Sequence, residues 1–497
     1  MGVMPVARIA CLAVLALLVF AAPAAAEKVL VLGKDGRVHT REDGFLRETD
    51  DLATPRAPRA RAVAGVAARK KKRRTVIREL KRLRNAGRIA PEDYAVRRAV
   101  YEDVKRRTRR LSGVREAIMG SVLATVEGIA ERRQLTPSRL NPLWLTLERN
   151  LEWWGEGPLL ASGRRVEFEG SELVWQYYPG SGLQLQMLGN FGKLNGLWGG
   201  RENSRLAFML DELLPLAAER AGGLAWEYYF SFGGGRPPWV SGLAQGTAVQ
   251  ALARAARRLG RQADVLPVAQ RALAIFEAPT PQGVRVPADQ GNHYAIYSFD
   301  PDLRVLNGFI QSLVGLYDYA RLSGDPRGTT LFQAAEPQAR HEVPLYDTGA
   351  WSLYSRGSSS HESSLSYHDL LQGFLENLCE RTAGEVYCTT AENFVTYKSQ
   401  PPAIEVKPKR LRGGRPGRVA FELSKVSNVA LRITRGSKVV EARPFGVVGY
   451  GKRTFGWDVP RRRGDYTVQL DVRDLAGNAA SAQAVVTVLK PKRKKRS

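Results

Sequence analysis

The chain has 497 residues, with 75 Lys and Arg against 49 Asp and Glu, a formal net charge of +26 and 3 cysteines. That length is enough for two or three domains, and after the first 26 residues no apolar run reaches the about 20 residues that a membrane helix needs. The positive charge sits in the flanks. Residues 401–497 hold 23 Lys and Arg against 7 Asp and Glu, residues 69–110 hold 18 against 5, and residues 111–400 hold 25 against 30. Basic flanks around a mildly acidic middle suit contact with an anionic surface or polymer, with a plain solvated charge run as the alternative for Arg69–Arg74 and Lys490–Arg496.

Residues 1–26 read as a signal peptide: Arg8 is their one charge, the apolar run Ile9–Phe20 follows, and Ala24, Ala25 and Ala26 offer small residues for cleavage before Glu27. Cys11 lies inside that run. Export argues against nucleic acid as a partner and for anionic cell-envelope polymers on the basic flanks. Residues 27–74 read as a basic linker, with a short strand-like start at Val29–Leu32 and a Pro/Ala/Arg stretch around Pro55–Arg61.

From Thr75 the pattern turns helical. Ile77, Leu80 and Leu83 recur at helical spacing, as do Val114, Ile118, Val122, Val126 and Ile129. The aromatic, glycine-rich stretch Val166–Gly200 reads as strands and loops without helix. Amphipathic helices are expected near 203–221, 241–260, 265–278, 302–323, 328–341, 365–382 and 388–399. Helix pairs joined by aromatic loops suit an α/α toroid, with its cleft where the loops gather. Cys379 ends one expected helix and Cys388 begins the next, and in an exported chain such a pair is expected to form a disulfide. No nearby His or Cys completes a metal set, so neither metal nor cofactor is expected.

After Pro401-Pro402 the period becomes two, in Arg418–Leu423, Val429–Ile433, Tyr466–Val472 and Ala484–Val488, with turns at Arg435-Gly436-Ser437 and Ala476-Gly477-Asn478. This is a small β-sandwich with a basic tail over 401–497, in which Trp457 and Tyr466 are core. It resembles the immunoglobulin-like modules of bacterial surface proteins.

Three stretches of the middle region carry a resemblance: Pro237–Gly246; Val305–Phe309 with Ser312–Asp318; and Tyr346–Gly349 with Leu353-Tyr354 and Ser366–His368. Their order and spacing resemble the D-glucuronyl C5-epimerase family. The resemblance implies a mainly α fold, an (α/α) barrel catalytic domain over 75–400 followed by the sandwich. It also implies an acidic, heparosan-like polysaccharide as substrate and inversion at C5 of glucuronate by two-base proton abstraction and return.

Such chemistry needs two acid/base groups and a donor or cation over the carboxylate. The resemblance assigns the acid/base roles to Tyr297, Tyr354 and Tyr367. Arg356 and His368 are the candidates for holding the carboxylate or tuning a tyrosine, with Arg304 and His293 weaker. Asn307 and Gln245 are candidate hydrogen-bonding groups, and Trp239 and Tyr178 candidate sugar-stacking rings. Ile296 stands where family members commonly carry an acidic residue. A polysaccharide lyase and a non-catalytic glycan-binding envelope protein are the alternatives. Residues 401–497 hold none of these groups, so their removal is expected to spare action on short oligosaccharides.

Overall fold

The computed structural model describes residues 26–47 and 75–491. Residues 1–25 of the expected signal peptide, 48–74 of the expected linker and the basic tail after Pro491 lie outside the described residues. Fourteen α-helices run through the described part. They are α1 (Val76–Asn85), α2 (Pro91–Thr108), α3 (Gly113–Glu131), α4 (Pro137–Glu156), α5 (Met187–Gly199), α6 (Asn203–Leu213) and α7 (Gly242–Leu259), then α8 (Gln262–Ala272), α9 (Ala274–Glu277), α10 (Leu306–Ser323), α11 (Pro326–Gln333), α12 (Glu336–Glu342), α13 (Leu365–Thr382) and α14 (Glu385–Tyr397). None of the described helices is long and apolar enough to cross a membrane.

The helices α7 and α10 form the centre. Their backbones touch because glycines face each other. A Cβ on Gly315 would lie 2.1 Å from the Gly246 carbonyl oxygen, and one on Gly246 would lie 2.6 Å from the Ser312 Cα. Ser241 caps α7 by accepting from the Ala244 N–H, and Gly260 ends it in the left-handed region at φ 70. The pair α13 and α14 reverses at Ala383-Gly384, and the Cys379–Cys388 disulfide crosses that turn with a Cα separation of 5.0 Å.

Two expectations are corrected here. Residues 27–47 are not linker. Ala26–Leu32 and Val38–Arg47 form a hairpin, and Ala26–Leu32 runs parallel to Arg165–Phe168 inside a five-stranded sheet completed by Trp175–Tyr178 and Gly182–Leu185. The stretch Val166–Gly200 is not free of helix, since α5 occupies its end. The glycines that read as turns admit the hairpin: a Cβ on Gly196 would meet Phe45 at 3.0 Å, and one on Gly200 would meet it at 2.7 Å. Opposite charges lock the contact. Lys193 of α5, fully buried, donates to Glu167 and Glu172 at 2.7 Å each and lies 3.2 Å from Asp43 of the hairpin. A buried ammonium is tenable only with such partners.

Strand content therefore exceeds what a mainly α reading implies. The C-terminal region adds more. The strands Ile404–Val406, Pro416–Leu423 and Gly451–Asp458 make one sheet. A second sheet has Lys409–Arg412, Ala479–Leu489, Gly464–Asp474, Ser427–Arg435 and Lys438–Val448 in that spatial order. Alternate residues of both, including Val419, Phe421, Leu431, Ile433 and Val468, bury a shared core around Trp457 and Tyr466.

Candidate active site

The N-terminal ends of α7, α10 and α13 lie together, and the segments leading into them carry the aromatic residues. The backbone of 228–242 is laced to itself and to 295–298. Tyr228 and Trp239 exchange bonds at 2.8 and 3.1 Å, Ser298 N donates to Val240 O at 2.9 Å, and Gly242 N donates to Ala295 O at 3.1 Å. The strand Leu303–Val305, which feeds α10, pairs with Leu353–Gly357, which pairs in turn with His361–Glu362 ahead of α13.

This lacing builds an aromatic floor. Tyr178 stacks on Phe230 at 4.2 Å and Tyr228 on Trp239 at 4.3 Å. Tyr297 stacks on Phe299 at 5.3 Å and meets the Trp239 ring edge-on at 5.6 Å. The rings of Tyr354 and Tyr367 lie 4.7 Å apart. Tyr297 and Tyr354 both pack on the Leu243, Ile296 and Val305 cluster, close enough that each affects the other's titration. The three tyrosines assigned to acid/base work therefore gather in one place, with Tyr178 and Tyr228 beside them.

Burial raises the Tyr297 hydroxyl well above its ordinary value, and the charges that would form on Tyr354, Tyr367, Tyr228 and Tyr178 add to the shift. Burial pushes Tyr354 up to about 12, against a lowering effect of the neighbouring Tyr297 hydroxyl. At neutral pH these two groups hold their protons: the site is stocked with proton donors, and any base must be made when substrate arrives.

Residues 222–396 match the family described as D-glucuronyl C5-epimerase C-terminus. That segment is similar to this epimerase family. Over 179 residues the chain is 29% identical to the D-glucuronyl C5-epimerase of Caenorhabditis elegans, a match covering 32% of this chain and 29% of that protein. The chain thus spans under a third of that relative's length. Among solved structures, an endo-β-1,4-glucanase from Acetobacter xylinum is similar at 12% identity and TM-score 0.29, covering 40% of this chain and 68% of that one. An immunoglobulin complex of titin and obscurin-like 1 is similar at 22% identity and TM-score 0.14, covering 19% of this chain and 98% of that one. Likenesses this slight carry no weight here.

Within the epimerase-family segment, several expected substrate contacts are occupied by structural bonds. His368 is buried, with Nε2 bonded to Phe394 O at 2.9 Å and Nδ1 against the Ser352 hydroxyl at 2.8 Å. Its ring stacks on Trp351 at 3.8 Å, and burial lowers it to about 4, so it stays neutral. It cannot hold a carboxylate. Arg356 donates to Leu345 O at 2.5 Å and lies over the Tyr346 ring at 5.9 Å. Gln245 is spent on the Trp226 backbone, its Nε2 donating to O at 2.9 Å and its Oε1 accepting from N at 3.3 Å. Trp239 is buried, stacked on Tyr228 at 4.3 Å with Phe232 at 6.0 Å, so it supports Tyr297 and is not exposed to stack on a sugar.

The weaker candidate His293 faces Glu342 at 3.0 Å inside the protein. Asn307 differs: its Oδ1 is buried without a partner among the described residues. Tyr178 and Tyr297 keep part of their surface in solvent. Ile296 packs with Leu243 and Val305 and presses on Gly308, whose Cβ would lie 3.3 Å from it, so the position of the family's acidic residue is apolar here.

Sequence reasoning missed Arg165. It lies outside the family segment, pairs with Glu27 of the hairpin, and its charge lowers both the Tyr178 and Tyr228 hydroxyls against the larger upward effect of their burial. No motif marked it, because a strand far from the epimerase-like stretches delivers it. Tyr228 was visible only as one ring of the aromatic run Trp226–Phe232.

Proposed function

We propose that this chain is an exported enzyme that inverts C5 of glucuronate in an acidic polysaccharide, using an (α/α) barrel cleft with an immunoglobulin-like module attached. The gathering of Tyr297 and Tyr354 on one apolar cluster, with Tyr367 beside Tyr354, carries the reading. Two-base inversion needs one tyrosine, as a phenolate that has first lost its proton to solvent, to take the C5 proton, and another, as a phenol, to return one to the opposite face. A uronate entering between Tyr297 and Tyr354 would have one hydroxyl on each side of C5. Tyr354 suits the base better than Tyr297, because burial raises it to about 12 while burial and four neighbouring tyrosines hold Tyr297 well above its ordinary value. Arg165, on the Tyr178 and Tyr228 side, supplies the positive field the carboxylate needs as charge builds at C5.

The test is incubation with a glucuronate polymer in deuterated water, followed by NMR at C5. Deuterium at C5 together with the inverted sugar supports the proposal, and its absence on every uronate polymer tried removes it. A second reading, a lyase, is favoured by one observation: Tyr354 and Tyr367 lie side by side on one wall, where a single group can take the C5 proton and another protonate the leaving oxygen. Ultraviolet absorbance from an unsaturated product would decide for the lyase.

A further inference from the structure

The C-terminal sandwich is anchored by one end. There Lys425 Nζ donates to Tyr397 O at 2.7 Å and to Asp474 at 2.8 Å, and the Glu362 carboxylate accepts from Val426 N and Tyr450 N at 2.7 Å each. Asn478 Nδ2 donates to Lys398 O at 2.7 Å. The strands then lead away from the helical domain. Gly464–Asp474, with 11 residues, spans roughly 35 Å at about 3.4 Å per residue.

At the far end three segments are bonded together. Gly413 N donates to Leu489 O at 3.0 Å, Gly414 N to Val459 O at 2.9 Å and Val459 N to Arg415 O at 3.3 Å. Arg435 Nη2 donates to Arg463 O at 3.2 Å. This brings Arg412, Arg415, Arg461, Arg462, Arg463 and Lys490 to one surface, all exposed. None of the six side chains is in an ion pair among the described residues. Two carboxylates, Asp458 and Asp465, lie close by in the chain, and Asp465 already accepts from Thr487 at 2.8 Å. Natural surfaces usually mix the two signs, so an unpaired cluster at the free end of a fixed module calls for a polyanion.

We propose that this end of the sandwich binds the acidic polysaccharide itself, holding one stretch of the polymer while another lies in the cleft. The guanidinium fork matches carboxylate and sulfate groups. Single-stranded nucleic acid fits less well, since its binding sites present aromatic rings for stacking. The ring at this end, Tyr466, is buried, with its hydroxyl donating to Arg462 O at 2.9 Å. The identity of the polymer rests on the function proposed above.

The test compares the full chain with its R461S/R462S/R463S and R461K/R462K/R463K variants. One measurement is retention on an immobilised glucuronate polymer as salt rises, and the other is KM for the long polymer and for a tetrasaccharide. The serine variant should elute at lower salt, and its KM for the long polymer should rise roughly tenfold, since each exposed charge contact contributes modestly. The tetrasaccharide, too short to reach from cleft to arm, should show the same KM with both proteins, and the lysine variant should bind nearly as wild type. Unchanged retention of the serine variant, or tighter binding of single-stranded RNA than of the polymer by wild type, overturns the proposal. If retention falls but wild type gives no C5 exchange, the surface stands and the catalytic reading fails. If exchange occurs and retention is unchanged, the catalytic reading stands and the surface fails.

Discussion

The Glu362 carboxylate, on the strand that pairs with the Tyr354 hairpin, accepts a hydrogen bond from the Tyr450 N–H of the sandwich at 2.7 Å. A second, from Val426 N, has the same length, and Lys425 beside it is fully buried over the Trp351 ring at 5.5 Å. Trp351 in turn stacks on His368, the neighbour of Tyr367. The sandwich thus holds both ends of the segment that carries two of the three tyrosines.

From this follows a prediction that reverses the expectation from sequence. Glu362→Ala should cost about 1–3 kcal/mol, the scale of losing charged hydrogen bonds. It should also lower kcat more than it raises KM, even on short oligosaccharides, while Glu362→Gln, which keeps an acceptor, should fall between. Removal of 401–497 should be at least as damaging. A truncated chain with wild-type kcat on oligosaccharides would show that the contact is passive.

The tyrosines give the second prediction. Replacement of Tyr297, Tyr354 or Tyr367 by Phe keeps the ring and removes the ionisable oxygen. For whichever tyrosines move the C5 proton, kcat should fall on the order of 100-fold or more, with KM little changed. In a variant lacking only the proton-returning group, solvent exchange into substrate should outlast net inversion. Three Phe variants with wild-type exchange and inversion would take these residues out of the chemistry.

His368 gives the third. Burial lowers its pKa to about 4, whereas in the unfolded chain it titrates near 6.5. Between those values the unfolded state binds the proton and the folded state does not, so stability falls as pH drops from about 6.5 toward 4, by up to ~3 kcal/mol. Above pH 7 it should contribute no slope. Thermal melts from pH 4 to 8 on wild type and His368→Asn check this, and equal acid slopes in the two would contradict it.

The fourth concerns Cys379 and Cys388, which are 9 residues apart and bonded. The double Ser variant should lose roughly 2–3 kcal/mol by the chain-entropy estimate, read as a lower denaturation midpoint with unchanged slope. A midpoint equal to wild type would mean that the α13–α14 turn is fixed without the bridge.

Much of the helical architecture was legible because α7, α10 and α13 alternate apolar and polar residues at helical period and start or stop at Ser241, Ser364, Gly260 and Gly324. The N-terminal hairpin was not. Val38–Arg47 carries Arg41-Glu42-Asp43 at its centre, and what makes it a strand is distant in sequence: Lys193 and the bare face of α5. The three tyrosines could be named together because motif order marks them, and the fold brings their rings near one another. The partners of Arg356, His368 and Gln245 were not legible, because residue type says what a side chain can bond but not which way it points.

The glycine contact between α7 and α10 has a consequence for mutational tolerance. Gly242 and Gly246 face Ala295, Ser312 and Gly315, and any side chain there would push against backbone atoms at 2.1–2.6 Å. Trp239 is tied to the start of one helix and Tyr297 sits ahead of the other, so the spacing of these rings is gauged by the missing Cβ atoms. Alanine at 246 or 315 would therefore act at a distance, widening the gap between floor and hydroxyls without touching either. Drift at these positions should be permitted only when a compensating loss of volume occurs across the helix pair.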